Sequence, residues 1–419
     1  VLILKTTTEC GCAENNGLTR RGLLGRGLAA GMAGLTGAGV STQLAFAATP
    51  AAYTGDVLVV VSLRGGFDGL SAVVPVGDPD YYAARPGIAV PKERIVAGDA
   101  MFGLHPALSP LVPLWQQGRM AAVHAVGQAA PNRSHFAAME ELERAAAGTS
   151  VRTGWLDRML GGLGATGPLA GVSVGSAQPH RAFAGPSPDL SLRGIDTFTL
   201  SGESNNRMAT ALSALYAGVP AELAAPARAA VGALGAVGAV RAVTSTVTYP
   251  DTTLGRALRD VARLIKSKAG LTAACVDSGD WDMHEGLGAA AAGGRMHDNL
   301  AGLAAALAAF AADTALENVT VLTISEFGRR VAENGSGGLD HGYGNAMLVL
   351  GGGVRGGAVY GAWPGLGTAR LVNGDLKVTT DYRTVIGEIL RKRCGVSATA
   401  LGDVFPGVNG NDLGLVLSR

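Results

Sequence analysis

Cysteine is scarce in this sequence. The 419 residues include four, at positions 10, 12, 275 and 394, and no two are spaced C-x-x-C, which argues against a thiolate zinc site. Aromatic residues are also few, at 5%, and the formal net charge is only +1. A nucleic-acid or anionic-membrane surface would need a basic stripe with interleaved aromatics, and none is present. Charged residues make up 16% of the chain against 47% hydrophobic, so a sizeable core can be buried. The length suits one large domain or two ordinary ones.

Cys10 and Cys12 fall in an N-terminal targeting segment. Adjacent Arg20 and Arg21 precede a weakly apolar Gly/Ala-rich stretch, and Ala45-Phe46-Ala47 forms an A-x-A cleavage site. Paired arginines with mild hydrophobicity point to twin-arginine export. Residues 1–47 are therefore expected to be a signal peptide and 48–419 a single mature domain. The expected location is periplasmic or extracellular, with the twin-arginine translocase as partner during export. An exported protein could pair Cys275 with Cys394. Cys275 sits in an apolar run, however, which favours two buried free thiols.

Apolar runs of strand length recur along the rest of the chain: 56–63, 120–126, 169–174, 271–276, 319–324 and 346–350. Segments of helical periodicity fall between most of them. One is 254–269, where Leu254, Leu258, Val261, Ala262 and Ile265 repeat at spacings of three and four. Residues 106–118 read as a helix, and 71–104 as an ordered loop excursion. The alternation predicts an α/β fold with a mainly parallel central sheet and helices on both faces. The two runs in 319–350 read as buried parallel strands.

Acid, imidazole and hydroxyl groups collect just after these runs. Asp68 follows the first, in a glycine-bracketed turn. Ser134 and His135 follow the second, Asp280, Asp282 and His284 the fourth, and Glu326, Asp340 and His341 the fifth. In a parallel sheet the carboxyl ends of the strands share one edge, so these groups can converge. Carboxylates with imidazoles and no thiolates suit Zn, Mn, Mg or Fe. Ser134 at a helix start would sit where amide groups favour an anion. Arg64, Arg133, Arg329 and Arg330 could hold phosphate or sulfate oxygens. Each group alone has a plainer reading. Asp68 caps its turn, Ser134 caps a helix, Glu326 pairs with the neighbouring arginines, and His124 is a satisfied core histidine.

The motifs LRGGFDGL (63–70), PDYYAARPGIAVP (79–91), LHPALSPL (104–111), RSHF (133–136), DWDMHEG (280–286), SEFGRR (325–330) and LDHGYGNAMLVLGGGVRGGAVYG (339–361) carry a resemblance over nearly the whole chain. It resembles the exported domain-of-unknown-function family fifteen-oh-one, and is more distantly similar to the alkaline phosphatase and sulfatase superfamily. The second similarity implies an alkaline-phosphatase-like fold. It makes Asp68 the first metal ligand and Ser134 the nucleophile. Asp280 and His284 take the D-x-x-x-H spacing, although Asp282 is the acid of the family's own motif. Glu326 stands for the acid of an Asp-His pair, and His341 for the last imidazole. Phe327 replaces the imidazole expected beside Glu326, leaving Asp340 or His135 to fill in or a single metal to bind.

The expected function is a metal-dependent hydrolase of phosphate or sulfate esters, acting on a small-molecule or polymer ester. It would use one or two divalent ions (Zn, Mn or Mg), with Ser134, His135, Arg64 and Arg329 at the reacting centre. No nucleic-acid partner is expected. The alternative is a non-catalytic secreted binding or assembly protein that keeps the fold with a degenerate metal site.

Overall fold

Val57–Leu63 is built almost entirely of valine and leucine. β-Branched side chains have restricted rotamers that suit a pleated strand, and an unbroken apolar run can be buried on both faces. In the computed structural model, which describes residues 53–176, 178–199, 207–408 and 410–419, this run is the central strand β1. Its residues alternate between two cores. Leu58 and Val60 face one, and Val59, Val61 and Leu63 face the other. The described residues fall within one compact unit, Thr42–Arg419. The signal segment and its A-x-A site lie outside the described residues.

Eight further strands complete the main sheet: β2 (Met120–Gly127), β3 (Gly171–Val174), β4 (Asp189–Leu192), β5 (Ala273–Ser278), β6 (Val319–Ile324), β7 (Asn345–Gly351), β8 (Val359–Tyr360) and β9 (Thr380–Asp381). Their order is β8-β2-β7-β6-β1-β5-β3-β4, with β9 also on β2. β1 runs parallel to both β5 and β6, and β3 runs parallel to β4 and β5. The helices α1 (His135–Arg144), α2 (Trp155–Gly162), α3 (Thr253–Lys266), α4 (Arg295–Thr314) and α5 (Tyr382–Lys392) supply most of the helical cover. α3 and α4 contribute to the core on one face of β1, and α2 and α5 to the core on the other. The chain is thus an α/β protein with a large, mainly parallel sheet flanked by helices. Among the described residues no helix is long and apolar enough to cross a membrane.

Some local expectations change. β7 is not parallel: it pairs antiparallel with both β6 and β2. A parallel return needs a crossover, usually a helix. Residues 325–344 contain no helix, so the chain turns back beside β6. The carboxyl ends of β1, β2, β5 and β6 and the amino end of β7 therefore lie at one edge. Residues 106–118 are not one helix but a 3-10 segment, Pro106–Leu111, followed by Val112–Gln116. Pro110 and Pro113 lack the N–H that a continuous helix would use. The excursion 71–104 contains a helical turn, Pro79–Ala84, and a two-stranded antiparallel ribbon pairing 73–74 with 103–104.

Cys275 and Cys394 are buried free thiols. His124 is buried in β2, with Nε2 against the Val73 carbonyl at 2.9 Å and Nδ1 accepting from the Ala125 amide. Both ring nitrogens are satisfied within the core.

Candidate metal centre

Three segments bring four side chains together at the shared strand edge. His135 is the first residue of α1, reached from β2. Asp282 and His284 lie in the loop after β5, and His341 in the loop before β7. One ligand atom from each of His135, Asp282 and His341 can be chosen so that all lie within 4.8 Å of one another. His284 joins them, its Nε2 standing 2.9 Å from His341 Nε2 and 3.1 Å from Asp282 Oδ1. His341 Nε2 is 3.4 Å from Asp282 Oδ1, and His135 Nε2 is 3.5 Å from Asp282 Oδ2.

What surrounds the imidazoles decides how they present themselves. His341 Nδ1 lies 2.8 Å from the Arg133 carbonyl, which can only accept, so that nitrogen carries the proton. His135 Nδ1 lies 2.8 Å from Glu326 Oε1, and His284 Nδ1 lies 3.2 Å from Asp340 Oδ1. Each Nδ1 donates outward, and each neutral ring then turns an Nε2 lone pair inward. Two such lone pairs face each other across 2.9 Å between His284 and His341. That contact is repulsive unless a proton or a cation lies between them. His135 Nε2 is buried without a hydrogen-bond partner. Outer carboxylates and carbonyls that orient metal-binding imidazoles are the usual second layer of such sites. The donor set of three imidazole nitrogens and one carboxylate fits a divalent ion such as Zn or Mn.

The local chain shape comes from two glycines and an arginine. Gly65 (φ +117°) and Gly66 (φ +73°) follow β1 in conformations that side chains resist. A Cβ on Gly65 would stand 2.6 Å from the Asp282 nitrogen, and one on Gly66 would stand 2.6 Å from the Phe327 ring. Arg329, 2% exposed, ties this turn to the loop after β5. It donates to the carbonyls of Gly66 (2.6 Å), Leu339 (2.8 Å), Trp281 (3.1 Å) and Gly65, and to Asp282 Oδ1 at 2.6 Å. Burial opposes the charge on Asp282, but Arg329 outweighs it and, with His284 and His135, holds the carboxyl below its usual range. Burial lowers the His341 pKa, against the hydrogen bond to the Arg133 carbonyl and helped by the Arg329 charge, so the ring stays neutral to lower pH.

The expected site residues divide into those the fold brings together and those it does not. His135, Asp282, His284 and His341 converge. Glu326 and Asp340 stand behind imidazoles rather than among the inward-facing atoms. Glu326 is 3% exposed and also accepts from the Gly65 amide (2.9 Å) and the Ser325 hydroxyl (3.0 Å). Asp68 is outside the cluster. Both its oxygens are held by Arg85, at 2.6 and 2.9 Å, and it caps the turn Gly69–Ala72 through the Ser71 amide. Asp280 pairs with Arg295, at 2.5 Å, and with Asn299.

Arg64 is likewise committed elsewhere, to Asp277 (2.5 Å) and Glu143 (3.0 Å), the carboxylates that also hold buried His180. Arg329 holds Asp282 in place. Ser134 is the exposed N-cap of α1. Its Oγ is 3.5 Å from the Ala137 amide, at the limit of a hydrogen bond, so the hydroxyl is nearly uncommitted. Phe327 packs its ring against both His135 and His341, with centroids 4.8 and 4.7 Å apart.

Sequence reasoning missed Arg85, the Arg133 carbonyl, and the Glu143–His180–Asp277 network. A carbonyl leaves no trace in residue identity. Arg85 carried little signal beyond being an arginine in a Pro/Gly-rich loop, since Asp78 and Asp80 stand closer to it in sequence than Asp68.

An α/β sheet with an imidazole-carboxylate cluster at its strand edge defines the class. The chain belongs to the family described as Protein of unknown function (DUF1501), matching it over residues 116–388. No curated protein matches. Among solved structures, a similar chain is the lipoteichoic acid synthase LtaP from Listeria monocytogenes. It is 9% identical, with a TM-score of 0.35, and the alignment covers 82% of this chain and 78% of that one.

Proposed function

We propose that this protein is an exported, divalent-metal-dependent hydrolase of phosphate or sulfate esters. The observation that carries the reading is the convergence of ligand atoms of His135, Asp282 and His341, with His284 Nε2 beside Asp282 and His341 and each imidazole held from behind by an acceptor. His135, Asp282, His284 and His341 would hold the ion, and Glu326, Asp340 and the Arg133 carbonyl would fix the rings. A bound ion supplies a Lewis acid and lowers the pKa of a coordinated hydroxyl or water. Ser134, next to His135 at the start of α1, offers an exposed hydroxyl where helix amides favour an anion, and is the proposed nucleophile. The choice of ester follows the resemblance of the motifs to phosphatases and sulfatases, and export follows the paired arginines and the A-x-A site.

The test is elemental analysis of protein purified without chelator, together with turnover of aryl phosphates and aryl sulfates. His135→Ala and His341→Ala are expected to lose both ion and turnover, whereas Ser134→Ala keeps the ion and loses turnover. Protein that binds no divalent ion would overturn the reading. Full activity in Ser134→Ala would remove only the nucleophile. One observation favours the non-catalytic alternative: Asp68, the first ligand by resemblance, is consumed by Arg85. That alternative expects no stoichiometric ion and no turnover of any ester.

A further inference from the structure

We infer that this centre is built for a single ion, with Phe327 and Arg329 filling the space and the charge that a second would use. The inference rests on the metal reading above. Two-ion centres hold their ions about 3.5–4 Å apart, and each ion needs its own donors. Among the described residues, the free donors around this cluster run out. Asp282 is the one carboxylate among the inward-facing atoms. Glu326 is engaged through both oxygens by the Gly65 amide, the Ser325 hydroxyl and His135. Asp340 Oδ1 is taken by His284 and Asn334, both oxygens of Asp68 by Arg85, and Asp280 by Arg295, with Asn299 3.5 Å from its other oxygen.

Space is closed as well. The buried Phe327 ring lies against the imidazoles of His135 and His341 and is backed by Gly66, so that side of the pair meets hydrocarbon instead of water or a ligand. Charge points the same way. The buried Arg329 guanidinium bonds Asp282 Oδ1 directly and is fixed there by four backbone carbonyls. It already occupies the place of a neighbouring cation on the shared carboxylate. A second dication beside it would meet repulsion that the partly buried setting screens poorly.

Native mass spectrometry of the full folded chain, titrated with Mn²⁺, reads the number of ions retained. Electron paramagnetic resonance of the same sample reads whether they are coupled. One ion per chain and the hyperfine sextet of isolated Mn²⁺ are expected. Two retained ions, or an exchange-coupled spectrum, overturn this inference and leave the metal reading standing. No retained ion overturns both. Asp280→Asn, at an exposed position, is expected to leave the count and the affinity unchanged, and so is Asp68→Asn where it folds. A loss of affinity of about tenfold or more in either folded variant, the size of a true ligand or support effect, overturns the inventory of donors.

Discussion

At the scale of single residues, the site is sorted by which partner each carboxylate meets. Asp68 and Arg85 are 3% and 0% exposed and bonded through both oxygens, so removing either leaves an uncompensated buried charge. Arg85→Ala is expected to destabilise the fold by about 3–5 kcal/mol in denaturant titration while leaving metal affinity unchanged. Glu326→Gln is expected to do the reverse. Its shape is kept, but the charge behind His135 is lost, and metal affinity measured by competition with a chromophoric chelator should weaken about 10–100-fold. Residue types and their positions after apolar runs were enough to name Asp282, His284, Glu326, Asp340 and His341 as neighbours. They were not enough to rank them. Whether a carboxylate faces inward or supports an imidazole depends on contacts such as Glu326 to His135, 191 positions apart in the chain.

At the scale of elements, the legible features were the long β-branched runs and the amphipathic helices. β1 and β6 lie within a residue of the expected spans because nothing in Val57–Leu63 or Val319–Ile324 suits any other environment. Strand direction was less legible. β7, buried along its whole length, has the same composition whether it runs parallel or antiparallel, and only the helix-free connection after β6 carried the information. The start of α1 combines a structural role with a proposed chemical one, and the two can be separated. The Ser134 cap contact is long and exposed, so Ser134→Ala should cost no more than about 1 kcal/mol of stability. Ester turnover should be lost in the same variant while its melting temperature barely moves. A large fall in melting temperature would instead make Ser134 mainly structural.

At the scale of the whole molecule, three histidines outside the metal centre contribute to the pH dependence of stability. His180 lies between Asp277 and Glu143, at 2.9 and 3.0 Å. Burial works against its charge, but hydrogen bonds to both carboxylates and their charges outweigh it and push its pKa up to about 9. From pH 6.5 to about 9 the folded chain holds this proton and the unfolded chain does not, so stability falls as pH rises through that window. His124 and His105 act in the opposite sense. Burial lowers both to about 4, helped at His105 by the charges of His297 and Arg94. From pH 6.5 down to about 4 the unfolded chain takes up these protons first, and stability falls as pH falls. Asp189 opposes them: burial, helped by Asp157, raises its carboxyl from 3.8 to about 6, so the folded chain keeps a proton there that the unfolded chain loses, and the acid limb is shallower than two histidines alone would make it. The curve should still peak near pH 6.5, with the alkaline limb driven by His180. Each proton sets a slope of up to about 1.4 kcal/mol per pH unit. The measurement is denaturant unfolding from pH 4 to 9.5 with chelator present, because bound ion would add its own pH dependence through the ligand imidazoles. His180→Gln removes the titrating group and should flatten the alkaline limb while leaving the acid limb in place. An alkaline limb that persists unchanged in that variant would show that His180 is not held as the cation between Asp277 and Glu143.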